Sequence, residues 1–475
     1  KIVLAGYSSS GGATNFSICR YNADGSLDNT FNVNGKQTTA FGSAKSQANS
    51  IAIQTDGKSV VLGYKNEGVK REVAAARYNA DGSLDNTFGE SGMLTDYIAQ
   101  GDTHFTSTVI QNDGKIVAAG YSWNCSNYDF SLVRYNTAGT LDNTFATAGK
   151  QMTDFGNTDD IAKAMVIQND GKFLLAGGAG DNFAIARYNS DGSLDNTFGA
   201  NGMQISDFGS SDYANTIKLQ TDGKIVVGGK NTLARYNTNG SLDLSFGLGG
   251  KMALELICDD IAIQSDGKIV VTTSVAGSTG WGYSDGLKVA RYNLNGSADN
   301  TFGYNGVQYV RNDFFPATKF VGKSVRILTD GNIMIGGYVE QTYRGTRSSF
   351  LLVKLGTDGT PDNTFGDNGV LIPANVGDLN YATSMLIEGD GKIILAGYSY
   401  NGSSDNFTIR RFNADGSTDI TFGKNGIEIT NASSAYNRIE DIALSNESLY
   451  AVGYGQYPGN LGVVAKFILP SSGPL

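Results

Sequence analysis

The sequence predicts an all-β fold: a single β-propeller of eight to nine four-stranded antiparallel blades. Three observations predict it. One phrase recurs along all 475 residues. Each repeat holds four short runs of strand character, and nothing between them sustains a helical period.

The repeat is clearest in "RYNADGSLDNTFG", Arg77 to Gly89. Its loop glycine returns at Gly25, Gly82, Gly139, Gly192, Gly240, Gly296, Gly359 and Gly416. Units of this length suit four-strand propeller blades and are too long for one coil of a β-helix.

Strand A is "SIAIQ" (Ser50 to Gln54), with counterparts "STVIQ", "AMVIQ", "TIKLQ" and "DIAIQ". A two-residue Asp-Gly turn follows, as in "QTDGK", which is the strongest short hairpin signal. Strand B, "KIVLAGY", is apolar almost throughout, as a strand pressed between neighbouring sheets must be. Its glycine permits close backbone approach. Strand C is "FSLVRYN" or "FAIARYN", and strand D is "KQTTAF", "MLTDY" or "QMTDF".

B–C hairpins number nine, whereas A and D strands number eight. Nine blades with incomplete ends, or eight blades with residues 1 to about 22 to spare, both satisfy that count. The propeller is expected over residues 1–469, with "PSSGPL", 470–475, as the start of a linker. Because the chain opens inside a repeat, further residues are expected upstream.

The composition narrows the function. Net charge is −10 and Lys and Arg are nowhere concentrated, so the footprint of a nucleic-acid binder is missing. No apolar run approaches the ~20 residues of a membrane helix. Three cysteines without C-x-x-C spacing argue against a disulfide framework or a zinc site.

Seen once, D-x-D-G-S-x-D resembles a calcium loop. Across the copies, one would-be ligand becomes Ala138, then Asn239 and Asn295. A ligand set that tolerates alanine is a poor one, and the bidentate distal Glu is absent. What persists is the glycine, an Asp such as Asp85, a hydroxyl two residues later and then Phe. Gly in every copy indicates positive φ, and Asp before Thr indicates an Asx-type turn capped by a core Phe. The arginine of "RYN" is expected to lock onto that Asp. No metal and no cofactor is expected; with two Trp in the chain, the docking motifs of quinone-dependent propellers are missing.

R-Y-N followed by D-G-x-L-D-x-T-F-G, and preceded by D-G-K-I-x-x-A-G-Y, resembles the delta-60 repeat family of bacterial proteins. The resemblance spans almost the whole chain. It implies a β-propeller in a large secreted or cell-surface protein, exported in many members by type IX secretion, and it implies no catalytic residues. The "AGY" tyrosine departs from the pattern in three consecutive units, as Gly178, Lys230 and Ser274.

The expected function is therefore a non-catalytic binding or adhesion module on a bacterial surface, with a surface glycan or protein as ligand and the secretion machinery as a partner. A structural spacer and a glycan-cleaving enzyme are the alternatives. A glycosidase needs two carboxylates roughly 5 to 9.5 Å apart, and Asp159–Asp160 and Asp259–Asp260 read as solvated loop charges. His104, the one histidine, reads as a surface loop residue.

Strand alternation puts the A–B and C–D turns on one face, expected to be monotonous and structural. The B–C and D–A connections fall on the other. Candidate binding residues there are Trp123, Tyr128, Trp281 and Tyr283, with Tyr343, Arg344 and Arg347 in "EQTYRGTRS" and Phe314 and Phe315 in "NDFFPATKF". Aromatics and Arg in polar loops are what sugar stacking and protein hot spots use.

Overall fold

The computed structural model describes residues 2–10, 13–21, 28–32, 36–42, 46–54, 56–67, 70–96, 103–111, 113–156, 158–209, 212–274, 286–310, 318–341, 347–374, 379–400, 402, 405–430, 436–445, 448–456 and 460–468. Among them every regular element is a β-strand. They form eight sheets, seven of which hold four antiparallel strands in the chain order A-B-C-D expected from the repeat.

The eighth sheet has six strands. Ile2–Ser10, Ala13–Tyr21 and Lys36–Thr39 join Tyr436–Ser445, Ser448–Gln456 and Asn460–Ile468, with Leu4 opposite Ala465 and Ala5 opposite Val464. Nine hairpins thus make eight sheets, and residues 2–21 are not spare. Each incomplete repeat would otherwise present an unpaired edge, and pairing the two removes it.

The chain divides into two compact units, Lys1–Met152 with Glu388–Leu475, and Thr153–Ile387. In the first, one cluster shows how the core is built. Val60, Leu62, Val73 and Ala75 of one sheet face Phe105, Ile116, Ala118 and Val133 of the next, with Phe88 between them. Strand B gives alternate residues to neighbouring clusters, Val60 to this one and Val61 to another. That use of both faces explains its unbroken apolar run.

In the second unit Phe173–Ala179 is buried at all seven positions for the same reason. The first strands of successive sheets pack against one another there. Outer strands Met203–Ser206 and Val307–Val310 leave Ile205 and Tyr309 exposed.

One regularity was not anticipated. Seven of the A strands carry a bulge at the same place, leaving Asn49, Thr106, Lys163, Asn215, Asp259, Lys323 and Glu440 out of register. A bulge twists its strand and brings its carbonyl toward the partner. The glycine of "AGY" answers that approach: a Cβ on Gly120 would lie 1.9 Å from the His104 carbonyl oxygen, and one on Gly337 1.9 Å from that of Val321.

Candidate functional site

The recurrent loop is a built electrostatic lock. Asp85 Oδ2 accepts from Arg77 Nε at 2.7 Å and from Lys58 Nζ at 2.8 Å, while Oδ1 accepts from the Thr87 amide at 3.1 Å and hydroxyl at 2.7 Å. The Arg77 guanidinium lies 4.9 Å from the centre of the buried Phe88 ring. The lock recurs around Asp142, Asp195, Asp243, Asp299 and Asp419. At Asp362, Lys354 takes the arginine's place.

Burial alone would raise the Asp85 carboxyl. Hydrogen bonds from Lys58 and Thr87 and the charge of Arg77 outweigh it and hold the group well below the usual carboxylate range. The Asp85 carboxylate is thus engaged by two cations, an amide and a hydroxyl. The arginine lock and the Asx turn expected from the sequence are both present. The lysine of "DGK" as second cation was missed, because it sits in the A–B turn 27 residues away.

The lock also ties repeat to repeat. The Gly89 amide donates to the Ala138 carbonyl at 2.8 Å and the Gly303 amide to that of Asp358 at 2.7 Å. Arg187, Arg235 and Arg291 donate to the Thr238, Leu294 and Thr357 carbonyls of their next loops.

At the opposite end of the Thr103 sheet, four rings gather. Trp123 closes Ile116–Trp123, Tyr128 opens Tyr128–Tyr135, and the two are cross-strand partners. Their rings meet edge to face at 5.2 Å, and Tyr121, two residues before Trp123 on the same face, meets Tyr128 at 5.3 Å. His104 stacks on Tyr121 at 4.8 Å and 14°.

The turn beneath is stiff. Asn124 Oδ1 accepts from the Ser126 and Asn127 amides at 2.8 and 3.0 Å, and its Nδ2 donates to Asn127 Oδ1 and Asp129 Oδ2, both at 2.9 Å. Such a platform can stack on a sugar ring or seat a side chain with little loss of conformational freedom.

Trp123 and Tyr128 are therefore brought together, though as half-buried strand ends and not as loop residues. His104 is corrected likewise: it lies in strand Thr103–Ile110, half-buried against Tyr121. A lone histidine in a polar stretch gives no sign of a cross-strand tyrosine. Arg347 is exposed at the start of Arg347–Leu355. Trp281, Tyr283, Phe314, Phe315, Tyr343 and Arg344 lie outside the described residues.

Two further expectations are corrected. Asp259 and Asp260 are strand residues, paired with Lys323 at 2.6 Å and Arg326 at 2.9 Å, and Asp160 is fully buried, accepting from the Phe155 amide at 2.7 Å. Asp159 alone is the exposed charge expected. The face of the repeated turns is not monotonous either. Leu244, Leu248 and Tyr304, 75%, 85% and 82% exposed, stand where other repeats carry such residues as Asn86 and Glu90.

Four-stranded sheets stacked through strand B and joined by a repeated lock define a β-propeller. The chain belongs to the beta-propeller family described as Domain of unknown function (DUF5122), whose model matches residues 1–31, 54–88, 111–145, 168–198, 220–246, 264–302, 328–365 and 388–422. Each match ends on the phenylalanine three residues after the repeat Asp.

Similar solved structures include Sqt1 of Chaetomium thermophilum, 13% identical over 90% of this chain and 96% of that one, with a TM-score of 0.48. Polysaccharide lyase Uly1 is 12% identical over 91% of each chain, TM-score 0.39. PorZ of Porphyromonas gingivalis, described as a surface component of the type-IX secretion system, is 9% identical over 96% of this chain and 79% of that one, TM-score 0.33. No curated protein matches the chain.

Proposed function

We propose that this propeller is a non-catalytic recognition module displayed on a bacterial surface, exported by a type IX-like route, and that the rings of His104, Tyr121, Trp123 and Tyr128 form part of its ligand platform. The ring cluster is the observation that carries the reading. Tyr and Trp offer large contact area at low entropic cost, and a turn already fixed by Asn124 lowers that cost further. The delta-60-like phrase supports the location.

Catalysis finds less support in the same residues. The ring cluster offers a single imidazole, and Asp259 and Asp260 are held by Lys323 and Arg326. The test is an array of immobilised oligosaccharides with a displayed peptide library, probed with the intact chain and with Trp123→Ala/Tyr128→Ala. Retention by the wild type and loss by the variant is expected. New reducing ends released from any array glycan would show an enzyme instead.

A further inference from the structure

Grooves lie between the turns of successive repeats at two places, and the two differ in size and lining. Between the turns at Asp56 and Asp113 the groove holds about 480 Å³. There Gln54 bridges the turns, donating from Nε2 to the Gly114 carbonyl at 3.3 Å, as Gln220 does to Gly267 at 2.9 Å elsewhere. Between the turns at Asp266 and Asp330 the groove holds about 890 Å³. Gln264 stands in the bridging position there, but its Oε1 is buried with no hydrogen-bond partner, and Leu328 replaces the glutamine of the following repeat.

From this arrangement we propose that the groove between the Asp266 and Asp330 turns binds a short neutral oligosaccharide. Ile263, Ile327 and Leu328 supply an aliphatic wall for the C–H face of a sugar ring. Exposed Asp330 and Asp358 supply acceptors for hydroxyls, and the unpartnered Gln264 Oε1 supplies another within the groove.

The charges disfavour an anionic ligand. Lys268 and Arg291 both pair with Asp299, at 3.0 and 2.7 Å, and Asp266, Asp330 and Asp358 line the same groove, so its carboxylates outnumber its cations and repel a carboxylate, sulfate or phosphate. A polyhydroxylated neutral ring uses the aliphatic wall and the acceptors together. Its volume lies within the range of built small-molecule sites, and it is separate from the ring cluster around Tyr128.

Saturation-transfer NMR on the intact chain tests this with cellotriose, maltotriose and chitotriose, and with trilysine and a sulfated trisaccharide as charged probes. Transfer to ring C–H protons of at least one neutral trisaccharide is expected. Leu328→Trp, which fills the groove, should weaken it at least tenfold, and Asp330→Asn/Asp358→Asn should weaken it with the fold untouched. Trp123→Ala/Tyr128→Ala should leave it unchanged, which separates this site from the ring platform. Leu328→Gln installs the residue found in other repeats and serves should the tryptophan variant fail to fold. Binding of the charged probes alone, binding unmoved by the Leu328 and aspartate variants, or no binding by any neutral trisaccharide overturns the proposal.

Discussion

Gly139 is the seat for Phe88 of the repeat before it: a Cβ at Gly139 would fall 2.4 Å from the phenyl carbons. The same relation joins Gly82 to Phe31, Gly240 to Phe198 and Gly359 to Phe302. A loop that looks like a local turn is thus half of a contact between repeats.

Gly139→Ala combines a φ of +78° with that clash. It should destabilise the fold by roughly 2–4 kcal/mol, beyond the strain of a positive φ alone. Chemical denaturation checks it. Gly402, also at positive φ but with open space around its Cβ position, is the control, and Gly402→Ala should cost only about 1 kcal/mol.

The lock should bear stability where its neighbouring turn does not. Arg77 and Asp85 side chains are 6% and 4% exposed, so Asp85→Asn leaves a buried cation short of its partner and should cost about 3–5 kcal/mol. Asp81 is exposed and is Ala138 in the next copy, so Asp81→Ala should change stability by no more than about 0.5 kcal/mol. Equal losses at the two positions would contradict the account.

Acid should unfold the protein through these same carboxylates. Asp85, Asp142, Asp195, Asp243, Asp299 and Asp419 are held below their ordinary value, and Asp362, bonded by Lys354 and Thr364, falls to about 2. A depressed folded-state pKa gives stability that is fully present above the unfolded value near 3.8 and lost as pH falls toward the folded one. Melting temperature should therefore drop steeply below about pH 4, and less steeply in Asp85→Asn.

Glu388 works in the opposite direction. It occupies the place of Gln54 and Gln111, buried 3.9 Å from Arg411, and burial pushes its carboxyl up to about 7 despite that cation. A raised folded-state pKa makes ionisation oppose the fold, so stability is lost as pH rises from about 4.5 through about 7. Glu388→Gln should raise the melting temperature at about pH 8 and change it little at about pH 4.5.

Much of this was legible in the sequence. Period, strand order and the buried B strand follow from which residue types recur. The Arg77–Asp85 lock was legible because a cation and an Asp recur eight residues apart in every copy. Lys58 and the Gly139–Phe88 contact were not, since nothing in a linear repeat shows which strand or which neighbouring copy completes it. The ring cluster was half legible: Trp123 and Tyr128 flank one hairpin, whereas His104 joins them only through strand pairing. The groove beside Gln264 left only Leu328 as a trace.

The central claim is that the repeated phrase builds shape and that the ring platform recognises a ligand. The most direct measurement is binding by the intact chain and by Trp123→Ala/Tyr128→Ala to array probes whose retention Leu328→Trp leaves intact. The account predicts at least tenfold weaker binding by the double variant, with a melting temperature within a few degrees of the wild type. Unchanged binding, or a collapse in melting temperature while binding persists, would contradict it.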